Sequence, residues 1–413
     1  MKRKAAAVAV IAGITSINAA LASDLPAEKG SAVEYVKVCS QFGKGFFYLP
    51  GSDTCLKIGG DMRASYRVYG GTGFGRNDDR SAFNAQMRLS FDARTQTDYG
   101  VLRSYVETWM DSHPISQQGR GGSYNPNSFV LWRAFIQYGG LTAGYAHSFF
   151  GFYDAEYGYS VFANYFANNA RSNLIAYTAE LGNGFLATVS IEDGRDHRQM
   201  STLTSGGQLP IKQGGQRLPD LVGQLRYTQD WGSFAVQAAA HEFRTAEDVT
   251  PRQSKFGWAA GATALINIPA IKGYLIIEGQ YADGALNYLG GNLTWLAQSD
   301  YFRTNSGQIR SGKGWSVTAE LSARLTPSLN LDLIASYYDA EYDGVFANTA
   351  SLGNSDLILT SSLVYSVTKD LSITPMISYE TGRVSGGKIA SGPTKGFDHY
   401  NLWFGGLRIK RTF

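Results

Sequence analysis

Long apolar runs, charge, proline and cysteine are all scarce in this chain, and each scarcity excludes something. Beyond the first two dozen residues no stretch approaches the roughly 18 consecutive apolar residues of a helical membrane span, so helices crossing a bilayer are excluded there. Charged residues make up 17 % of the chain, low for a surface facing only water, and proline numbers 11 in 413 residues. Two cysteines, Cys39 and Cys55, are too few for a cysteine-based metal centre. Catalytic signatures are missing as well. His241-Glu242 lacks the second histidine of a zinc-protease helix, and no G-x-S-x-G elbow occurs. Gly71-Thr72-Gly73-Phe74-Gly75 has the wrong spacing for a dinucleotide loop. The five histidines are scattered along the chain. These absences argue against an enzyme, and no cofactor or metal is implied.

The charge balance removes another class. The 37 lysines and arginines slightly exceed the 34 acids, but Lys2, Arg3 and Lys4 supply the whole excess. They open a segment that continues as an apolar run from Ala5 to Ala20 and ends in Ala20-Leu21-Ala22. A charged start, a short apolar middle and an A-x-A end form a secretory signal peptide, expected over residues 1–22. A membrane anchor is the alternative, but the run is short and is broken by Gly13, Thr15, Ser16 and Asn18. The remaining chain is charge-balanced, which argues against nucleic acid as a partner. Export also bears on the cysteines: an even count in an oxidising compartment favours a Cys39–Cys55 disulfide within an N-terminal segment, residues 23–55.

What the sequence does contain is aromatic residues (13 %), 48 glycines and a period of two. From Leu56, one parity reads Leu56, Ile58, Gly60, Met62, Ala64, Tyr66, Val68; the other reads Lys57, Gly59, Asp61, Arg63, Ser65, Arg67, Tyr69. Phe83–Arg94 and Trp315–Thr326 repeat the pattern. Only a strand with one apolar and one polar face gives this period. The runs reach the 9–11 residues of a tilted membrane strand, whereas strands of a soluble sandwich are shorter. Tight turns at Asp98-Tyr99-Gly100, Gly139-Gly140, Gly182-Asn183-Gly184, Pro327-Ser328 and Lys369-Asp370 alternate with long polar connections, at 70–81, 111–127, 147–173, 193–219, 283–313 and 383–398. Short turns at one end and long loops at the other are the plan of an outer-membrane barrel. The expected fold is therefore all-β: a transmembrane antiparallel β-barrel of about sixteen strands over residues 56–413, wide enough for a water-filled lumen.

Candidate functional residues follow from parity. Arg63, Arg67, Arg88, Arg103 and Arg133 fall on the polar rows of four neighbouring segments, where few acids are expected beside them. They predict a basic half-ring on the inner wall. The connection from His147 to Asn173 carries nine aromatic residues together with Asp154 and Glu156. A loop this apolar is costly to expose, so it is expected to fold inward and to set both carboxylates opposite the arginines. The alternative is an external loop packed on a partner subunit. At the other end of the chain, Phe413 closes an apolar row, as in the assembly signal of outer-membrane barrels.

The stretch from Val38 to Gly60, the run Arg133-Ala134-Phe135-Ile136-Gln137-Tyr138 with Thr142-Ala143-Gly144 and Ser148-Phe149-Phe150, and Leu174-Ile175-Ala176-Tyr177-Thr178 with Gly182-Asn183-Gly184-Phe185 resemble the general porins of alphaproteobacteria. The resemblance covers essentially the whole chain after the signal. It implies a sixteen-stranded homotrimer with an inward third loop, placed in the bacterial outer membrane by the barrel assembly machinery. Outer-membrane lipid and lipopolysaccharide would surround it, and small hydrophilic solutes and ions would cross it by passive diffusion. It also implies a constriction formed by Asp154 and Glu156 against Arg63, Arg88, Arg103 and Arg133, and the paired cysteines. His147, Tyr145 and Gly151 depart from the family's usual residues, leaving the loop less acidic than is usual. A substrate-specific channel, for example a sugar-selective one using the loop's aromatic rows, is the alternative function.

Overall fold

The computed structural model describes residues 37–413 apart from 77, 113–126, 159–160, 199–210, 291–298, 305, 347–348 and 386–395. The segment read as a signal, residues 1–22, lies outside the described residues, as does Tyr159 of the aromatic loop. Sixteen antiparallel strands close into one barrel. We number them β1 (Cys55–Gly71), β2 (Ser81–Thr97), β3 (Gly100–Ser112), β4 (Asn127–Tyr138), β5 (Leu141–His147), β6 (Arg171–Gly182), β7 (Phe185–Glu192) and β8 (Asp220–Gln229). The second half comprises β9 (Gly232–Arg244), β10 (Ser254–Ile268), β11 (Gly273–Asp283), β12 (Lys313–Thr326), β13 (Leu329–Phe346), β14 (Thr349–Thr368), β15 (Leu371–Ser385) and β16 (His399–Thr412).

Each strand pairs with its neighbours in sequence, and β16 pairs with β1 from Leu402↔Gly71 to Thr412↔Asp61. Phe413 continues this seam: its backbone exchanges two hydrogen bonds with Gly60, at 3.1 and 3.2 Å. Closure leaves no free sheet edge, which is the condition for strands to exist in lipid.

The parity rule places side chains as the alternation demands. On β1 the apolar row faces outward, with Ile58, Met62 and Tyr66 exposed, while Arg63 and Ser65 are buried on the inside. Aromatic pairs on the outer face lie near the long-loop ends of the strands, including Tyr66–Phe83, Trp258–Tyr281 and Trp315–Tyr337. A second set, Phe185–Tyr227–Trp231, lies near the short turns. Two such belts match the two membrane–water interfaces.

The turns form where left-handed backbone is available. Gly139 (φ 53°) and Gly140 (φ 87°) join β4 to β5, and Asn183 (φ 50°) and Gly184 (φ 87°) join β6 to β7. Positive φ at both central residues is the hairpin geometry that suits strand twist. Two further short connections, Asp230-Trp231 and Pro269–Lys272, were not expected. Neither was the hairpin of β13 and β14, strands of 18 and 20 residues. The Cys39–Cys55 disulfide ties the segment before the barrel to the first residue of β1.

The lumen is filled unevenly. Against β11–β15 it is packed by the β5–β6 loop and by part of the β11–β12 connection, with Phe150, Phe166, Leu286, Tyr288, Leu289, Tyr338, Tyr342 and Tyr400 in one buried cluster. The side formed by β1, β2 and β16 retains open space.

Candidate pore constriction

The β5–β6 loop enters the lumen because its side chains are apolar and its backbone finds partners there. Phe152, Tyr153 and Phe166 are essentially inaccessible, and burying a large apolar side chain contributes about 2 kcal/mol each. A single helical turn, α1 (Tyr153–Glu156), marks the deepest part. Gly151 adopts φ 86°, and any Cβ there would collide with the Glu278 carboxylate. Glycine at this position lets the backbone pass close to β11.

Carboxylates and hydroxyls of the far wall then hold the loop. Tyr153 donates its backbone N–H to Glu278 (3.3 Å) and its hydroxyl to Glu320 (2.6 Å). The Phe166 N–H donates to Ser336 (2.6 Å), and its carbonyl accepts from Thr318 (3.0 Å). Gln224 donates to the carbonyls of Phe149 and Gly151. Leu289, in the β11–β12 connection, is fixed by Ser316, and Tyr288 packs on Phe150.

Across the lumen from these anchors lies a cavity of about 380 Å³. Arg63, Arg67, Arg88, Arg171 and Arg408 line it, with Trp109, Trp132, Phe162 and a single carboxylate, Asp154. Arg88 lies over Trp109 (4.4 Å) and Trp132 (5.3 Å), and Arg171 over Trp132 (3.3 Å). Arg67 and Arg408 both face the ring of Phe162, at 4.9 and 4.4 Å. Asp154 accepts from Tyr165 (2.5 Å), with His147 at 3.4 Å and Arg171 at 3.8 Å. Burial raises the pKa of Asp154 above the ordinary aspartate range, and Arg171, Tyr165, Arg88 and Arg133 pull it back only in part.

The expected site residues divide into three groups. Arg63, Arg67, Arg88 and Asp154 meet at the cavity. Arg103 and Arg133 lie outside it, each held by a carboxylate of the same wall: Arg103 on Asp92 (2.9 Å) and Arg133 on Glu107. Glu156 does not face the early arginines. It forms a two-pronged pair with Arg226 of β8, at 2.5 and 3.0 Å. The expected shortage of acids on the basic wall does not hold either, because Asp61, Asp92 and Glu107 share its polar rows and bind Arg63, Arg94 and Arg133.

Arg171, Arg408, Trp109 and Trp132 at the cavity, and Arg226 beside Glu156, were not anticipated, whereas Phe162 belongs to the loop expected to fold inward. Trp109 and Arg408 were readable from their polar parity. Trp132 was not: the register between β3 and β4 slips after Glu107, and such a bulge changes which face a side chain takes. Among the described residues no cluster of His, Cys, Asp and Glu suits a metal ion.

A family model described as the porin subfamily matches residues 24–402. Porin Omp2b of Brucella suis biovar 1 is 28% identical over 411 residues, covering 97% of each chain. The outer membrane channel DcaP of Acinetobacter baumannii has the same fold, with a TM-score of 0.65 at 16% identity over 89% of this chain and 99% of that one. The trimer form of OmpT, an outer membrane protein of Vibrio cholerae, aligns at 0.50 and 10% identity, over 88% and 100%.

Proposed function

This chain belongs to the porin subfamily and forms an outer-membrane channel for passive diffusion of small hydrophilic solutes and ions; on that premise we propose that its selectivity is set by the charges around the cavity beside the β5–β6 loop. The observation that carries this is the five arginines and one carboxylate lining a single cavity where the loop narrows the lumen. Rings of charged side chains select ions at such a neck. Arg63, Arg67, Arg88 and Asp154 act there directly, joined by Arg171 and Arg408. Arg103 and Arg133 contribute at longer range, and Glu156 steadies the loop through Arg226.

The working unit is a homotrimer, a reading supported by the family and by the trimer form of the Vibrio protein. Residues 1–22 act as the secretory leader, residues 23–55 carry the disulfide, and residues 56–413 form the span. Phe413 serves as the assembly signal read by the barrel assembly machinery, and its removal should slow folding in vesicles. Lipid and lipopolysaccharide contact the outer row. The protein is a channel rather than an enzyme, and no catalytic role is assigned to any residue.

Purified protein in a planar bilayer should give large ohmic steps, grouped in threes for a trimer. Silence across salts and voltages would refute the selectivity reading along with its premise. A reversal potential favouring cations would refute the arginine assignment alone.

A further inference from the structure

Cations at the β1–β16 seam outnumber the carboxylates available to them. Arg63 and Lys410 stand directly opposite each other in the ladder, as do Ser65 and Arg408, with Arg67 opposite Gly406. All four cations lie on the polar, inward rows of two adjacent strands. Like charges facing across a ladder are destabilising. Among the described residues, one of the four is in an ion pair: Asp61 takes Arg63 in a two-pronged pair at 2.5 and 2.9 Å.

The other nearby carboxylates are engaged elsewhere. Asp111 accepts from Asn84 and Gln86, Glu107 holds Arg133 and Arg88, and Asp154 is bound by Tyr165 and faces Arg171 and His147. Among the described residues Arg67, Arg408 and Lys410 have no carboxylate within ion-pair distance. Arg408 has only the Ser65 hydroxyl at 3.3 Å, and it shares the face of Phe162 with Arg67.

We infer that this seam is a binding site for small multivalent oxyanions, carboxylates or phosphates, which sit against Arg67 and Arg408 at the cavity, with Lys410 two residues from Arg408 on the same face of β16, and are handed across the constriction. This deepens the selectivity reading above by naming the solute class, and it rests on that reading. Guanidinium groups suit the site because their fork of donors matches carboxylate and phosphate oxygens. The Phe162 ring orients both forks without neutralising either. The site adds no covalent step: the anion exchanges with water at the three cations and leaves by the same exchange.

The test uses the full-length protein in a planar bilayer at low ionic strength and mildly alkaline pH. Chloride current is titrated with inorganic phosphate in one arm and succinate in the other, at constant ionic strength. Wild type should show a saturable fall in chloride current. Arg67→Gln/Arg408→Gln should weaken that block at least tenfold. Lys410→Gln, which removes a cation with no hydrogen-bonded partner among the described residues, should weaken it severalfold and covers the case where the double variant fails to insert. The stronger arm tells phosphate from carboxylate as the solute. Intact chloride current with no block by either probe overturns the site, and so does equal block in all three proteins. Absence of any chloride current in wild type overturns the channel reading and the site together.

Discussion

Replacing Asp154 by asparagine removes the single carboxylate lining a cavity that five arginines share. The side chain is nearly buried, at 9 % exposure, and asparagine keeps its shape and can still accept from Tyr165, so the loop should stay in place. What changes is the field. A unit charge about 5 Å from an ion's path is worth ~0.8 kcal/mol in a water-like medium. At ~0.1 M salt, with a Debye length of about 10 Å, roughly 0.5 kcal/mol of this survives. The change favours anions and disfavours cations together, so their ratio moves by about 1 kcal/mol, or roughly fivefold. At ~1 M salt the Debye length falls to about 3 Å and the shift should drop below about twofold. The assay is the reversal potential across a salt gradient, run at both strengths. Glu156→Gln is the internal comparison: its carboxylate is paired with Arg226 and does not line the cavity, so its shift should be smaller. An unchanged reversal potential for Asp154→Asn at low salt, with normal conductance, would refute the reasoning. So would an equal or larger shift for Glu156→Gln.

The same carboxylate predicts a pH dependence. Burial raises its pKa, so it loses its charge at a higher pH than an ordinary aspartate, and anion preference should grow as pH falls through that raised value; Asp154→Asn should abolish the step in reversal potential. Because the folded state holds this proton more tightly than the unfolded chain, the charged form costs stability at higher pH, and that cost is relieved on acidification. Tyr153→Phe deletes the hydroxyl donated to Glu320, which keeps Tyr274 at 2.6 Å; the loss should be about 1–2 kcal/mol, seen as faster protease cleavage of the β5–β6 loop, and protection equal to wild type would contradict the anchoring role. Replacing Cys39 and Cys55 by serine together opens a 16-residue separation and should lower unfolding stability by about 3 kcal/mol in denaturant titrations, with conductance unchanged because the bridge lies at the short-turn end.

The barrel was legible because a period of two is a local property. Ile58, Met62 and Tyr66 against Arg63, Ser65 and Arg67 needed no knowledge of their partners, and Gly139-Gly140 marks a turn by its own backbone freedom. The undetected turns carry weaker signals. Asp230-Trp231 has an indole where a small residue is usual, and Pro269–Lys272 is a 3-10 turn that ends in a left-handed Lys272 (φ 48°) rather than a glycine. The site was legible in part for the opposite reason: it is assembled by closure. Arg408 reaches Arg67 across 341 residues of chain only because β16 pairs with β1, and parity alone does not set that register. Glu156 and Asp154 sit two residues apart in a helical turn, so they point to different walls. A reading that grouped them by proximity in sequence could not separate their roles.

Asp154 and Glu156 are also a small part of the acid in the lumen. Glu278, Glu320, Asp332, Asp356 and Glu380 project inward from β11–β15, all buried. Neutral donors reach three of them: Thr263 and the Tyr153 N–H for Glu278, Tyr153 and Tyr274 for Glu320, and Ser322 and Asn330 for Asp332, while the Tyr400 hydroxyl lies within hydrogen-bond distance of both Asp356 and Glu380. One wall therefore carries most of the arginines, beside the cavity, and the other carries buried carboxylates, two of which hold the loop. This burial has an electrostatic consequence. Hydroxyl and amide donors make it possible to bury these carboxylates, and Glu278 and Glu320, which hold Tyr153 of the loop, act as its anchors. Across the lumen, the loop meets Arg67 and Arg408 only through the ring of Phe162 and leaves a cavity beside the arginines. On the selectivity proposed above, the field a solute meets is weighted towards the basic wall even though residues 23–413 carry equal numbers of both charges. On that proposal, selectivity follows from which charges the loop covers, a property that depends on where the aromatic segment packs rather than on composition.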